Sequence, residues 1–524
     1  MTWSLENSRN NEARKIVWEL IPYARGKVLD IGCGAYKALP HFTGVDNGHH
    51  WGLQGIDIAS DADDLSRFAD ASHDAVFSSH LLEHIHYEEV PAVLKEWMRV
   101  VKVGGYLMLY LPDEAQYPKV GHPHANADHK WDVSFDKVMD AMRSFSGWDL
   151  IDYQVRSADD EYSIFFVFKK MSMDERGQSW RMPKPSKTAA IVRYGAQGDM
   201  IQMSSILPWL KEQGYHVTVY CQAGAGYEVV KHDPHIDRFI VQDKDQVPNQ
   251  FLGEFWAYTR KKYTKWINLC ESVEGTLLAS PGRANWEWPN ALRAKYLDRN
   301  YLEWTHELAE VPPPYRPKFY STVQEREKSK WNARRWGAKN VLWSLAGSSG
   351  HKVWPHIDVM IARLMLEYPG VHVVLVGDES CQILEHGWTK EPRVHCQSGK
   401  WSIRESMAFA EQADLIIGTE TGLLNAAGSM DVPKIVTLSH SSKEMLTKHW
   451  LATIALDQPA GVGCAKHPCR QLHGSGETDN WLDCPQDKET GTALCQVSIG
   501  PEQMWLAIQS VLGVPIAMPK RRAA

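Results

Sequence analysis

The chain has 524 residues, 44% of them hydrophobic and 23% charged, which fits a globular protein of two to four domains and excludes a disordered chain. A formal net charge of -7 argues against general nucleic-acid binding, and the one basic cluster, "PKRR" near the C-terminus, reads as a solvated tail. The N-terminus is polar rather than signal-like, and no run reaches the ~18 apolar residues of a membrane span, so a cytoplasmic protein with reduced thiols is expected.

In chain order, "ARKIVWELIPY" predicts an amphipathic helix, and "KVLDIG", "FTGVD" and "HDAVFSSH" predict strands. A helix through "EEVPAVLKEWMRVV" follows, then a strand "GGYLMLYLP" after a two-glycine turn, and "SIFFVFKK" closes the region. Alternating strands and helices predict a parallel sheet. "MSMDERGQSWRMPKPSK" is polar, carries two prolines and has no periodicity, so it reads as a linker. A second series starts at Lys187 with the strands "KTAAIVRYG", "HVTVYC" and "KWINLC". The proline-rich "EVPPPYRPKFY" interrupts it, and a third series follows in "NVLWSLAG", "VHVVLVGD", "ADLIIGTE" and "PKIVTLS". The expected fold class is α/β, with three Rossmann-like units. The expected boundaries are a first domain at 1–170, a linker at 171–186, lobes at 187–318 and 319–515, and a basic tail at 516–524.

In "VLDIGCG" a strand ends in Asp30, and Gly32 and Gly34 let the backbone pass close to a ligand. Asp30 can accept from an ammonium or position a water. The next strand ends in Asp46, where a carboxylate can take both hydroxyls of a ribose. With "DADDLSRFADASHDAVFSSHLLEHI" downstream, these motifs resemble the class I S-adenosylmethionine-dependent methyltransferases over about residues 15–170. The resemblance implies Asp30, Gly32 and Gly34 at the methionine end of the cofactor, Asp46 on the ribose, and Asp61 and Ala62 at the adenine. It also implies that the loop from Ser79 through His80 to His84 covers the sulfonium. Methyl transfer depends on alignment, and a hydroxyl acceptor also benefits from a base. "GHPHANADHKW" places His122, His124, Asp128 and His129 after the last core strand. His124 and His129 are the candidate bases. The pair also has a spacing that can bind metal, and solvated loop histidines are an equal alternative.

The loop "RYGAQGDM" holds Gly195, Gly198 and Asp199. An acid beside the glycines repels a diphosphate, so Asp199 reads either as a general base facing a sugar hydroxyl or as a helix N-cap. Later, "LAGSSGHKVWP" ends a strand with small residues and Lys352, which suit a diphosphate. "VVLVGD" brings Gly377, and "ADLIIGTETGLLNAAG" places Thr419, Glu420, Thr421 and Gly422 on a loop before a small-residue helix, and the hydroxyls and N-terminal amides there suit phosphate. This order resembles the ADP-heptose:lipopolysaccharide heptosyltransferase-like glycosyltransferases of family 9 over about residues 187–515. The resemblance implies the GT-B fold of two Rossmann lobes and an inverting transferase without a required metal. It implies Asp199 as base and Lys352, Thr421 and Gly422 on the donor diphosphate. The family's Asp is Glu420 here and its His is Asn425, which leaves the donor sugar open.

Cys464, Cys469, Cys484 and Cys495 cluster late, with His467 and His473 among them. Four thiolates can hold a tetrahedral zinc, although the tight CxxC pair is missing; free buried thiols are the equal alternative. The sequence therefore reads as a fused enzyme. It would use S-adenosylmethionine and a nucleotide diphosphate sugar on a glycan or glycoconjugate, with peripheral membrane contact compatible and nucleic acid not expected. A nucleic-acid base modifier and a non-enzymatic binding protein are the competing readings.

Overall fold

The computed structural model describes residues 12–514 except 51, 53, 158–160, 173–185, 245, 338, 348 and 474–483. Most of the linker expected at 171–186 and the basic tail at 516–524 lie outside the described residues. The chain divides into two compact units. The first comprises 1–186 with 242–262, and the second 187–241 with 263–524.

The first unit is built on β1 (Val28–Ile31), β2 (Thr43–Asp46), β3 (Ile58–Ala59), β4 (His73–Ser79), β5 (Val101–Pro112), β6 (Trp148–Arg156) and β7 (Ser163–Lys170). Their order is β3-β2-β1-β4-β5-β7-β6. All four residues of β1 are buried, as expected for a parallel strand covered on both faces. Strands β1 to β5 pair in parallel, but β7 is antiparallel to both β5 and β6. The expected all-parallel sheet is therefore mixed, because β6 and β7 return as a hairpin-like pair instead of crossing over through a helix. The double glycine lies inside β5 and does not precede it. Register with β4 jumps from His73↔Val101 to Ala75↔Tyr106, and Gly104 at φ +83° absorbs the extra residues. The first expected helix is short, a 3-10 turn at Glu12–Ile16 followed by Val17–Leu20.

Residues 242–262 complete this unit. Phe255 packs beside Trp18 with ring centroids 6.0 Å apart. Asp243 accepts from Arg25 Nε at 3.0 Å and from the Gly26 amide at 2.7 Å. Arg156 and Tyr258 both donate to the buried Glu19.

The second unit holds two sheets. The first contains β8 (Thr188–Val192), β9 (His216–Gln222), β10 (Arg238–Gln242, whose last residue falls in the first unit) and β11 (Lys265–Asn268), ordered β10-β9-β8-β11. The other contains β12 (Lys339–Ser344), β13 (Val371–Val376), β14 (Val394–Cys396), β15 (Leu415–Thr419), β16 (Lys434–Thr437) and β17 (Thr453–Leu456). It is parallel throughout, ordered β14-β13-β12-β15-β16-β17. One buried cluster joins Ile191 and Met200 to Phe409 and Leu424, so the two sheets share a core. The single helix expected after Asp199 is broken into Gln197–Ser204 and Leu207–Glu212, with Pro208 opening the second piece.

In each sheet the strand order reverses once, between β1 and β4, between β8 and β11, and between β12 and β15. Ligands of open α/β sheets bind beyond the strand C-termini at such switch points. Asp30 and Gly32 lie at the first point, the loop around Asp199 at the second, and Glu420 with Thr421 at the third.

Candidate active sites

In the first unit Gly32 has φ +73°, and a Cβ there would lie 2.6 Å from Leu81, so the glycine turn and the "SSHLLEH" loop are in close contact. Asp30 is buried and accepts the Ala38 amide at 2.7 Å. Burial pushes its carboxyl up to about 7. Asp46 accepts the Gly34 amide on one oxygen at 2.9 Å and the Gly48 amide on the other at 2.8 Å. Each oxygen keeps a lone pair for a further donor. Asp61 is exposed and takes Asn47 Nδ2 at 2.9 Å, while the Ala62 carbonyl accepts from Trp97 Nε1 at 2.7 Å. Ser79 Oγ is buried without a hydrogen-bond partner. His80 adopts φ +48°, and its Nε2 lies 3.0 Å from Ser163 Oγ. Burial pulls the His80 imidazole down to about 3.

The histidine loop splits. His122 and His124 are exposed and face each other with ring centroids 5.4 Å apart. His129 is buried instead, with Nε2 3.7 Å from Glu83 Oε1. Glu83 is fully buried, and burial pushes its carboxyl up to about 8. The reading from sequence passed over Glu83 as a functional residue, because an acid on an apolar turn gives no signal until the fold brings His129 against it. Among the described residues, Glu83, His84 and His129 form a group whose donor atoms all lie within 4.8 Å of one another.

In the second unit Asp199 occupies the third position of its helix, and Ala196 is the N-cap. Its Oδ2 accepts the Ala196 amide at 2.8 Å, and its Oδ1 meets Arg193 Nη2 at 2.7 Å. Arg193 is 2% exposed and also holds Glu274 at 3.1 Å through both terminal nitrogens. Burial disfavours the Arg193 charge, yet Asp199 and Glu274 together hold its pKa above the ordinary value. Arg193 stands in the quoted "RYGAQGDM" but carried no role there, since a strand-end arginine is ambiguous until its partners are placed.

Gly198 and Gly422 bring two helix starts together. A Cβ on Gly198 would lie 3.1 Å from Asn425 Nδ2, and one on Gly422 would lie 2.7 Å from Gln197 Cβ. Asn425 is buried, accepts Gln202 Nε2 at 3.0 Å and donates to the Thr421 carbonyl at 2.9 Å. Thr421 caps its helix through the Leu424 amide. Lys352 is buried and donates to the Glu420 carbonyl at 3.2 Å. Burial pulls its ammonium below the ordinary value, opposed by the charges of Glu420 and Asp199. The Glu420 carboxylate turns to the following loop: it accepts the amides of Ser439 and Ser441 at 2.8 and 3.2 Å and Ser439 Oγ at 3.0 Å, with His440 Nδ1 at 3.1 Å. Gly195 lies against Asp199, and Gly377 lies against Cys381.

A cavity of about 510 Å³ in this unit is lined by Trp286, Trp288, Arg293, Lys466 and His473 among others. The His473 ring packs on Trp286 at 5.2 Å and on His351 at 5.6 Å, so one lining residue touches the neighbour of Lys352. The sequence signal was the aromatic "NWEWPN" stretch, which alone does not separate a platform from core.

Cys464, Cys469, Cys484 and Cys495 are free thiols that, with His440 and His467, line one small cavity. The described cysteines do not form a group at metal-ligand spacing as Glu83, His84 and His129 do. Burial pushes the Cys469 thiol up to about 11 and that of Cys484 up to about 12.

A family model described as a methyltransferase domain matches residues 29–109. Lipopolysaccharide heptosyltransferase 1 of Campylobacter coli is 21% identical over 290 residues, 47% of this chain and 82% of that protein. A glycosyl transferase family 9 structure from Veillonella parvula aligns at 16% identity and TM-score 0.43, over 63% of this chain and 98% of its own. An S-adenosylmethionine-dependent methyltransferase from Mesorhizobium loti aligns at 14% identity and TM-score 0.25, over 32% of this chain and 100% of its own. Residues 29–109 thus match a methyltransferase domain, and 290 residues of the chain are similar to a lipopolysaccharide heptosyltransferase. Among the described residues no helix is long and apolar enough to cross a membrane.

Proposed function

We propose that the chain carries two transferase activities. The first unit moves a methyl group from S-adenosylmethionine. The second moves a sugar, with inversion, from a nucleotide diphosphate to a hydroxyl of a glycan or glycoconjugate. The observation that carries the second activity is the placement of Asp199. Its carboxylate is held by Arg193 at 2.7 Å, at the switch point of its own sheet, in the unit where Lys352 lies at the switch point of the other. In this reading Asp199 takes the proton of the attacking hydroxyl, and the sugar–phosphate bond breaks as the diphosphate leaves. Lys352 stabilises the leaving charge. The cavity with Trp286 and Trp288 offers aromatic faces for a sugar, and Arg293 and Lys466 beside them suit an anionic one.

For methyl transfer the two acids and the glycine turn support cofactor binding: Asp46 for the ribose, Asp30 and Gly32 for the methionine end, and Asp61 and Ala62 for the adenine. Ser79 and His80 lie on the loop against that turn. A cytoplasmic location and a surface-glycan acceptor belong to the same reading. The four thiols are assigned zinc only if metal analysis of the purified protein returns a stoichiometric ion that is lost in Cys484→Ser.

A donor screen by nucleotide release, run with and without a glycan extract, tests the proposal. Release by the wild type that depends on acceptor and is lost in Asp199→Asn supports it. Undiminished release in Asp199→Asn would reduce Asp199 to a helix-start residue and defeat the base assignment.

A further inference from the structure

The geometry points to a divalent transition-metal site in the first unit, formed by Glu83, His84 and His129. Two independent observations meet there. The three donor atoms already lie within 4.8 Å of one another. The Glu83 carboxylate is also fully buried, and neither oxygen accepts a hydrogen bond. A buried, unpartnered carboxyl group must either keep its proton or face a cation, and a metal ion between Glu83 and the two imidazoles would meet the second condition. The nearest polar hydrogens are those of imidazoles, with His80 Nδ1 3.5 Å and His129 Nε2 3.7 Å from Oε1. Both lie beyond hydrogen-bond reach.

The backbone fixes these ligands. Glu83 and His84 occupy the 3-10 turn Leu82–His84. His129 is tied to that turn through its neighbours: the Lys130 amide donates to the Glu83 carbonyl at 2.8 Å, and Trp131 Nε1 donates to the Leu82 carbonyl at 3.1 Å. The His84 and His129 rings stand perpendicular, 4.9 Å between centroids. An ion at ~2.1 Å from each donor needs only small side-chain rotations to close this span. Two imidazoles and one carboxylate select zinc, manganese or iron(II) over calcium and magnesium, which favour all-oxygen sites. His80, anchored on Ser163 Oγ at 3.0 Å, stands beside Glu83 outside the ligand set.

Leu81, two residues before Glu83, touches Gly32, so the site adjoins the cofactor turn. Three protein ligands leave open positions for acceptor oxygens. The role in catalysis rests on the methyl-transfer reading; the metal site does not. In that role a metal-bound hydroxyl loses its proton to solvent, and its oxygen takes the methyl carbon. The carbon–sulfur bond breaks, and its electron pair returns to sulfur.

The test is a manganese titration of the full chain without S-adenosylmethionine, counted by electron paramagnetic resonance. One Mn²⁺ per chain is expected in the wild type and in Cys484→Ser. Affinity should fall at least ~10-fold in His84→Ala, His129→Gln and the isosteric Glu83→Gln. Metal-free melting of Glu83→Gln at or above the wild-type temperature shows that the variant folds. Added Mn²⁺ should raise the wild-type melting temperature and leave that of Glu83→Gln unmoved. Failure of the wild type to bind Mn²⁺ or Zn²⁺, or equal affinity in all three variants, overturns the site. Binding without any methyl transfer upholds the site and defeats the methyl-transfer reading instead. Metal-dependent methyl transfer that chelation stops supports the catalytic role, and transfer that chelation leaves untouched removes it.

Discussion

The Asp199 carboxylate faces a buried guanidinium 2.7 Å away and the amide that opens its own helix. Both contacts aim the carboxylate and also tie it to folding, so the proposed base role needs a kinetic readout of its own. Asp199→Asn is expected to lower glycosyl-transfer kcat by ~10²- to 10⁴-fold with donor affinity nearly unchanged, read from initial rates and calorimetry. Arg193→Met leaves Asp199 and Glu274 without their shared cation, and a destabilisation of about 3 kcal/mol is expected by denaturant melting. Asp30 makes a pH prediction. Burial raises its carboxyl from 3.8 to about 7, so the native state keeps a proton that the unfolded chain loses. This contribution to stability is fully present below about pH 4 and is lost as pH rises to about 7. Asp30→Asn should therefore gain stability relative to the wild type across that window, by up to roughly 4 kcal/mol, while losing S-adenosylmethionine binding. Urea melts at pH 5 and pH 8 measure the difference; a constant offset would contradict it.

Two helix starts meet at glycines, Gln197–Ser204 at Gly198 and Gly422–Ala427 at Gly422. The contact brings Asp199 and Thr421 into one core-sharing unit although they are far apart in sequence. A methyl group at Gly422 would press on Gln197 Cβ at 2.7 Å, which forces the helices apart. Gly422→Ala is expected to cost about 1–3 kcal/mol and to raise the donor KM, read by thermal melting and steady-state kinetics. The element-level reading of the sequence was good for long apolar strands such as β12 and β13, whose buried runs state their own layer. It was poor for β3 and β14, which are two and three residues long and take their strand character from a neighbour. It also missed β6 altogether and the antiparallel direction of β7, since residue pattern does not encode the direction of a strand relative to its partner.

At the scale of the chain, each proposed ligand belongs to one unit. S-adenosylhomocysteine at ~100 times its Kd should stabilise the first unit by about 2.7 kcal/mol, and a nucleoside diphosphate should do the same for the second. Differential scanning calorimetry separates the two effects; a single ligand raising both transitions equally would contradict the assignment. Residues 242–262 belong to the first unit although sequence order places them in the second region, because Phe255, Asp243 and Tyr258 find their partners at Trp18, Arg25 and Glu19.

The sequence by itself determined the three α/β sheets and the position of each glycine turn at a switch point, because glycines and strand-end acids mark such a point locally. Asp30 and Asp46 could be placed at strand ends and Asp199 at a helix start for that reason. Tertiary structure alone decided what those turns are pressed against. Arg193 became the holder of Asp199, and the Glu420 carboxylate was placed on the loop at Ser439. Of the loop histidines, His129 went inward to Glu83 while His124 stayed at the surface. These outcomes depend on distances between residues tens to hundreds of positions apart, and burial and charge pairing settle them only once the chain has closed.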